Sequence, residues 1–308
     1  MARRVAAAGS WSYLDITWGQ YPGGHNYHRL DRRLILDRFV AIVGGTVNSG
    51  ERDAVLNLAS TLIRLGAAGL TICNPCLGSQ RDDKWTFEAQ HPAAKLELKQ
   101  FSDLPRAALI DLLLFDLHNE YVCLYGEGDL RVVPCRYNEV TSAAVEELGR
   151  VGIEQGAKEF VVGSTDLGGR GRTRRLAEQI GKAAVFCDKE RLSPTEVRIS
   201  VASNRELIAG RAVVLVDDIL ETGGTADGAA RAYLGQGASA VFGVFSHACG
   251  TVEQVRNLRD QGNLARILVS DSHPQALEIE QALPEFVGVK SIVGVIRDSI
   301  ADPWNWLP

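Results

Sequence analysis

The sequence predicts an α/β protein of two domains, each built on a parallel sheet flanked by helices. The chain has 308 residues, which is about the length of two domains. Strand-like and helix-like segments also alternate along most of the chain, and parallel sheets with crossover helices produce this pattern. The two halves are similar in size, and we predict one domain over residues 1–137 and a second over residues 138–308.

The first half contains five alternating segments. The first is a short, almost wholly apolar run typical of a buried strand, and the second carries leucine and valine at the spacing of one helix face. We predict strands and helices in alternation over residues 38–43, 51–65, 68–73, 92–101 and 103–114.

The second half repeats this alternation after a polar bridge at residues 136–138. The predicted helices are 143–155, 172–181 and 226–237. The predicted strands are 159–163, 183–186, 211–216 and 238–245.

Composition excludes several classes of protein. The chain carries 33 Lys and Arg against 38 Asp and Glu, a net charge of -5, so it offers no overall electrostatic footprint for nucleic acid or an anionic membrane surface. Its apolar runs are much shorter than the ~20 residues of a membrane span, and the start of the chain is too weakly apolar for a signal peptide. We therefore expect a cytoplasmic protein. The six cysteines are scattered, which favours reduced thiols over disulfides.

Residues 213–226 form the most informative motif in the sequence. An apolar strand ends in Asp217 and Asp218, a loop follows, and an alanine-rich helix begins. Glycines let backbone N–H groups approach an anion, hydroxyls add donors, and a helix N-terminus favours negative charge. Paired carboxylates are suited to sugar hydroxyls, directly or through Mg²⁺, so the motif predicts a site for a phosphorylated sugar. The alternative is a capped turn with solvated acids. The candidate loop residues are Thr222, Gly223, Gly224 and Thr225.

This segment resembles the ribose-5-phosphate loop shared by type I phosphoribosyltransferases and ribose-phosphate diphosphokinases, the PRPP synthetases. Glu221 stands where the family has an aspartate, which keeps the charge. The rest of the chain from about residue 40 to residue 293 resembles PRPP synthetases in the order and spacing of its motifs. The resemblance implies two phosphoribosyltransferase-like domains and assigns the ribose 5-phosphate to residues 217, 218 and 221–225.

Two further motifs in the second half resemble this family. The sequence GSTDLGG, residues 163–169, is similar to its diphosphate-binding loop, with Asp166 at the metal-linked acid and Gly168 and Gly169 as backbone donors. The sequence DKERLSPTEV, residues 188–197, is similar to the mobile catalytic loop, with Lys189 and Arg191 at its two cationic positions. The arginines that follow the first motif fit either a solvated helix start or phosphate recognition; they are Arg170, Arg172, Arg174 and Arg175.

The first half carries the segments that resemble the family's ATP site. His118, in the sequence FDLH, matches a histidine beside the nucleotide phosphates and metal, and Arg81 matches an arginine that reaches ATP. Asp82 follows it where the family has glutamine. Tyr21 is the only counterpart of an aromatic, an asparagine and a glutamate that reach a neighbouring subunit's ATP.

The resemblance implies transfer of the diphosphoryl group of ATP to ribose 5-phosphate, giving PRPP and AMP. It also implies Mg²⁺, held by His118 and Asp166, and a homo-oligomer, either a dimer or a hexamer. Two other functions stay open. A PRPP-dependent phosphoribosyltransferase would keep the loop at Asp217, and a non-catalytic regulatory subunit would fit the altered N-terminal segment and Asp82.

Overall fold

The computed structural model describes residues 1–22, 26–83, 92–105, 108–191 and 197–302, with the backbone alone for residues 20, 26, 189–191 and 197–199. The chain forms two compact units. The first contains residues 1–136 and 293–308, and the second contains residues 137–292. Residues 293–308, predicted to belong to the second domain, fall within the first unit, so the units differ from the predicted domains at this end of the chain.

The first unit has a parallel sheet of four strands and a separate two-stranded hairpin. The sheet strands occur in the order β3-β4-β5-β6. Its elements are α1 (Ala2–Ala8), β1 (Thr17–Gln20), β2 (Asn26–Arg29), β3 (Phe39–Val43), α2 (Ser49–Arg64), β4 (Gly69–Asn74), α3 (Ala93–Ser102), β5 (Leu109–Phe115) and β6 (Leu130–Cys135).

Helix α2 shows how the sequence produces this layer. Asn48 caps its N-terminus, since the side-chain oxygen accepts the Glu51 N–H at 3.0 Å. Its buried residues include Val55, Leu58 and Leu62, which lie on one helix face. They pack in one core with the buried side chains of β4, β5 and α3.

The second unit has a parallel sheet of six strands in the order β14-β13-β12-β11-β7-β8, and an antiparallel pair, β9 and β10. The elements of the unit begin with α4 (Asn138–Glu154), β7 (Phe160–Ser164), α5 (Arg170–Gln179), β8 (Ala184–Val185), β9 (Cys187–Arg191), β10 (Val197–Val201) and β11 (Ala212–Leu220). They continue with α6 (Gly224–Gly235), β12 (Ala240–Ala248), α7 (Val252–Asp260), β13 (Ile267–Ser270), α8 (Gln275–Ala282) and β14 (Val287–Lys290).

Strand β11 lies inside the six-stranded sheet, and both of its faces are covered. Val213 and Leu215 point into a core that contains Tyr233 of α6. Val214 and Val216 belong to the core on the opposite face, with residues of α4 and α5. The uninterrupted apolar run is therefore the sequence of a strand buried on both sides. The predicted α/β architecture with parallel sheets and flanking helices is confirmed.

Several elements differ from the sequence predictions. Strand β11 continues to Leu220 rather than ending at residue 216, so the acid pair lies within the strand. Residues 188–191 and 197, predicted as part of an irregular loop, belong to the antiparallel strands β9 and β10. A final helix, α9 (Val293–Ala301), returns to the first unit and packs against α1 and β4. No helix in the described part of the chain is long and apolar enough to cross a membrane.

Candidate functional site

The two phosphate-loop motifs of the second unit follow neighbouring strands. β7 and β11 pair in parallel, with Ser164 opposite Val216, so their carboxyl ends lie at the same edge of the sheet. The Thr165 hydroxyl, in the first residue after β7, donates to Asp217 Oδ2 at 2.5 Å. The structure therefore brings the predicted diphosphate loop and the predicted sugar-phosphate loop together.

In the acid pair, Asp218 is buried and Asp217 is half-buried. Asp218 is only 5% exposed, and its Oδ2 lies 3.5 Å from Arg172 Nη2. Burial and, after it, the neighbouring charge of Asp218 raise the pKa of Asp217 to about 7, although the hydrogen bond from Thr165 opposes the shift. A pair in this state favours a ligand that brings hydroxyl donors or positive charge.

The loop after β11 is held in one conformation by close backbone contacts. Gly223 has φ +78°, and a Cβ atom there would lie 2.9 Å from Leu258 Cδ2. A Cβ atom on Gly250 would lie 2.0 Å from the Glu221 carbonyl oxygen. The backbone N–H groups of Cys249 and Gly250 both donate to the Leu220 carbonyl, at 2.8 and 3.1 Å. The turn thus needs glycine at both places, as expected of a loop that presents its backbone to a ligand.

Helix α6 begins at Gly224, directly after this turn. The first N–H groups of a helix have no intrahelical acceptor and carry the positive end of the helix dipole. Glu221, Thr222 and Gly224 are exposed. The loop therefore presents a hydroxyl and the start of a helix to solvent within a few residues of the half-buried Asp217 and the buried Asp218, which is suited to a ligand with a phosphate and hydroxyl groups.

In the predicted diphosphate loop, the side chain of Asp166 binds a backbone N–H of the same loop. Asp166 Oδ1 accepts the Gly169 N–H at 3.1 Å, and the Thr173 hydroxyl donates to the Gly169 carbonyl at 3.0 Å. Gly168 is exposed and α5 begins at the next residue but one, Arg170. A short glycine loop at a helix start can bind an anion through backbone donors.

Lys189 and Arg191 are alternate residues of β9. In the ladder with β10, Lys189 lies opposite Ile199 and Arg191 opposite Val197. The Cys187 N–H, at the start of β9, donates to Ser164 Oγ at 3.1 Å, and burial raises the pKa of the Cys187 thiol to about 11. The strand that carries both cations is thus attached at its base to the end of β7.

In the first unit, Gln80 joins two of the predicted nucleotide segments. β5 ends at Phe115, and the buried Asp116 adopts φ 47°, a conformation that aspartate tolerates better than most residues. Its N–H donates to the Cys135 carbonyl at 2.8 Å. His118 is exposed, and its N–H donates to Gln80 Oε1 at 3.0 Å. The chain at Arg81 therefore lies beside the chain at His118.

Asp82 has a structural role that the sequence analysis did not identify. Its Oδ2 accepts the Ala93 N–H and its carbonyl accepts the Ala94 N–H, both at 3.1 Å. It therefore satisfies two donors at the start of α3, where negative charge is favourable. Tyr21 lies after β1 and is exposed, with its ring 4.7 Å from that of Tyr27.

The described residues contain no group of three or more His, Cys, Asp and Glu side chains arranged to hold a metal ion. Mg²⁺ commonly uses one or two carboxylates together with substrate phosphates and water. The donors near the second-unit loops fit that chemistry, because Asp166 and Asp218 both add negative charge at Asp217 and raise its pKa.

Sequence reasoning missed Thr165, Gln80 and Gly250 as residues that hold the site together. The first two follow strands β7 and β4 closely, and polar residues at the carboxyl ends of parallel strands are a recognisable signal. Gly250 had no such signal, because its contact with Glu221 depends on how β11 and β12 pair.

Known proteins resemble the chain over different lengths. Residues 137–249 match the phosphoribosyl transferase domain family. A ribose-phosphate pyrophosphokinase of Methanopyrus kandleri is 32% identical over 303 residues, covering 96% of each chain. One from Prochlorococcus marinus is 29% identical over 231 residues, 75% of this chain and 66% of its own length. The crystal structure of phosphoribosylpyrophosphate synthetase from Mycobacterium smegmatis has the same fold, with a TM-score of 0.77, 19% identity, and coverage of 98% and 94%.

Proposed function

The chain belongs to the ribose-phosphate pyrophosphokinase family, and from this premise we propose how its own residues carry out the reaction. The β,γ-diphosphoryl group of ATP passes to the anomeric hydroxyl of ribose 5-phosphate, giving PRPP and AMP. Such a transfer needs positioning and charge neutralisation more than a covalent nucleophile. Residues of both units would supply this positioning and charge neutralisation.

One observation carries the proposal. The Thr165 hydroxyl contacts Asp217, so the loop proposed for the diphosphoryl group and the loop proposed for the acceptor sugar meet at one edge of the sheet. A reaction that joins a diphosphoryl group to a sugar hydroxyl requires this proximity.

The acceptor is assigned to the loop between β11 and α6. The carboxylates of Asp217 and Asp218 would accept hydrogen bonds from the ribose hydroxyls. The phosphate would bind at the start of α6, through backbone donors and hydroxyls, with Glu221 at the rim. The loop residues in this role are Thr222, Gly223, Gly224 and Thr225.

The diphosphoryl group is assigned to the loop of Asp166, Gly168 and Gly169. Lys189 and Arg191, on β9, would neutralise the charge that develops on the transferred oxygens. Asp166 is the proposed acid for Mg²⁺ in this unit, and His118 is the proposed residue in the other. When bound, Mg²⁺ supplies positive charge to the phosphate oxygens.

The nucleotide is assigned to the first unit. Arg81 and His118 lie on segments that Gln80 holds together, so the two can act on one ligand. Tyr21 and Asp82 complete the proposed set, with Asp82 also fixing the start of α3. The family further suggests a homo-oligomer, a dimer or a hexamer, that acts in the cytoplasm.

An assay for AMP tests the proposal. The purified chain is incubated with ATP, Mg²⁺ and ribose 5-phosphate, and AMP is measured with and without the sugar. We expect AMP that requires the sugar, together with PRPP in equal amount.

Two outcomes would contradict it. Pyrophosphate release from supplied PRPP and a base, without AMP formation, would indicate a phosphoribosyltransferase. Inactivity in both assays would indicate a regulatory protein.

A further inference from the structure

Arg170 connects the predicted diphosphate loop to the start of β9. Its Nη2 atom lies 2.5 Å from Asp188 Oδ1. Its guanidinium carbon lies 5.5 Å from the centre of the Phe186 ring. Phe186 and Asp188 flank Cys187, the first residue of β9. One guanidinium therefore holds the chain on both sides of the residue where the strand begins.

The two ends of this connection are both close to the proposed chemistry. Arg170 is the first residue of α5 and directly follows Gly169. Asp188 directly precedes Lys189. A second link between these segments is the Cys187 N–H to Ser164 Oγ bond, which holds the backbone of the strand at one point.

The connection is better suited to orientation than to stability. The side chains of Arg170 and Asp188 are 33% and 49% exposed, and ion pairs with this much solvent contribute little to the free energy of folding. A guanidinium is planar and can stack on a ring while it binds a carboxylate in a defined direction. It therefore fixes the angle of the strand that it holds.

We propose that Arg170 is a positioning residue, which binds Asp188 and thereby fixes the strand that carries Lys189 relative to the diphosphate loop. The inference rests on the proposed function for the role of Lys189. Arg170 acts through Asp188, without contacting the diphosphoryl group itself.

A double-mutant cycle tests this route of action. Arg170→Gln, Asp188→Asn and the double variant are compared with the unaltered chain in the AMP assay. We expect kcat to fall about 10- to 100-fold in each single variant, because a misplaced reacting group has effects of this size. The kcat of the double variant should be no lower than that of the less active single variant, since both changes remove the same interaction. The KM for ribose 5-phosphate stays within about twofold, because its loop is separate.

Two further variants distinguish orientation from a general loss of charge. Arg174 lies on the same helix, is exposed, and stacks 5.7 Å from the same Phe186 ring. We expect Arg174→Gln to keep kcat within about twofold. Arg170→Lys retains a positive charge toward Asp188 and recovers part of the kcat that Arg170→Gln loses.

Three kinetic results would overturn the inference. A loss in Arg170→Gln with normal kcat in Asp188→Asn would mean that Arg170 contacts substrate directly. Losses that multiply in the double variant would mean that the two residues act separately. Unchanged kcat in both single variants would mean that the contact has no role.

Amide hydrogen exchange gives a readout that does not depend on activity. Without substrates, we expect residues 187–191 and 197–201 to exchange about tenfold faster in Arg170→Gln and Asp188→Asn than in Arg174→Gln. The thermal midpoints should agree within about 3 °C. If the unaltered chain forms no AMP, the proposed function fails while exchange still tests the connection. Equal exchange in all three variants overturns the inference in either case.

Discussion

The two units hold their proposed site residues by different means. In the second unit, both acids contact the segment that carries the proposed diphosphate loop. Asp217 accepts a hydrogen bond from Thr165 in that loop, and Asp218 lies 3.5 Å from Arg172 in α5, the helix that follows it. In the first unit, the segments of Arg81 and His118 are joined by Gln80, which is not a proposed ligand. The sugar-phosphate side therefore brings two carboxylates together at an electrostatic cost. The nucleotide side is built from ordinary backbone contacts and a helix cap.

We expect the largest effect from removing a proposed catalytic cation of the second unit. Lys189→Ala should lower kcat by about two orders of magnitude or more, the range for loss of one transition-state charge contact. Circular dichroism and thermal unfolding should show an intact fold. Lys182→Ala is the matched control, because Lys182 pairs with Glu159 at 3.4 Å, away from both loops. Near-normal turnover in the Lys189 variant would remove that residue from the mechanism.

A change in the turn after β11 should have the next largest effect. Gly223→Ala forces an L-residue into a left-handed conformation and against Leu258, at a cost of about 1–2 kcal/mol. We expect the KM for ribose 5-phosphate to rise about tenfold, in line with that cost. Gly235→Ala, in the same helix with no atom within 4 Å of the added Cβ, is the control. Equal KM values in the two variants would mean that the turn at Gly223 does not bind the sugar phosphate.

The cost of the acid pair should be measurable in the protein without ligands. The folded pKa of Asp217 is about 7 against an ordinary value of 3.8. Between these values the folded chain holds a proton that the unfolded chain has released, so stability falls as pH rises through this window. Asp217→Asn should remove part of this dependence and raise the free energy of unfolding at pH 8 by about 1 to 3 kcal/mol. Urea unfolding at pH 5 and pH 8 measures this free energy for both proteins. The same pH dependence in Asp217→Asn as in the unaltered chain would contradict the raised pKa.

We expect the smallest effect from changing Asp82 in the first unit, which tests whether this residue serves stability or nucleotide binding. Asp82→Ala removes a carboxylate that accepts a helix N–H and should cost about 1 kcal/mol of stability. Asp82→Asn keeps an acceptor and should cost less. Asp103→Ala, at the other end of α3, removes an exposed pair with Lys99 and is the control. A loss of kcat beyond tenfold in Asp82→Asn, with normal stability, would show that Asp82 acts on the nucleotide rather than only on the start of α3.

Much of the second unit could be predicted because local patterns agree with it. The run before Asp217 is apolar without interruption, as expected of a strand covered on both faces. Gly223 precedes α6 and Gly224 begins it, and the left-handed Gly223 confirms the turn. The end of β11 was misplaced, because two adjacent acids resemble a strand end when their pairing partner is not known.

The β9 and β10 hairpin shows what the residues alone left open. Val197, Ile199 and Val201 alternate with polar residues, a strand signal, yet the charged sequence of β9 offered no matching pattern. Helix α9 raises a similar problem. Its buried residues Val295 and Ile296 indicate a helix with an apolar face, but nothing local says which sheet covers that face.

The alternation of strands and helices, the turn at Gly223 and the charged residues available for chemistry could be read from local sequence, because they depend on neighbours within a few positions. Local sequence does not show that Thr165 contacts Asp217, that Arg170 contacts Asp188 or that α9 packs in the first unit. Those contacts depend on the order of strands in each sheet and on which apolar surfaces remain to be covered. The hydrophobic effect is non-directional, so an apolar face is stabilised by any apolar surface that covers it. The packing of the whole unit therefore selects which surface does so.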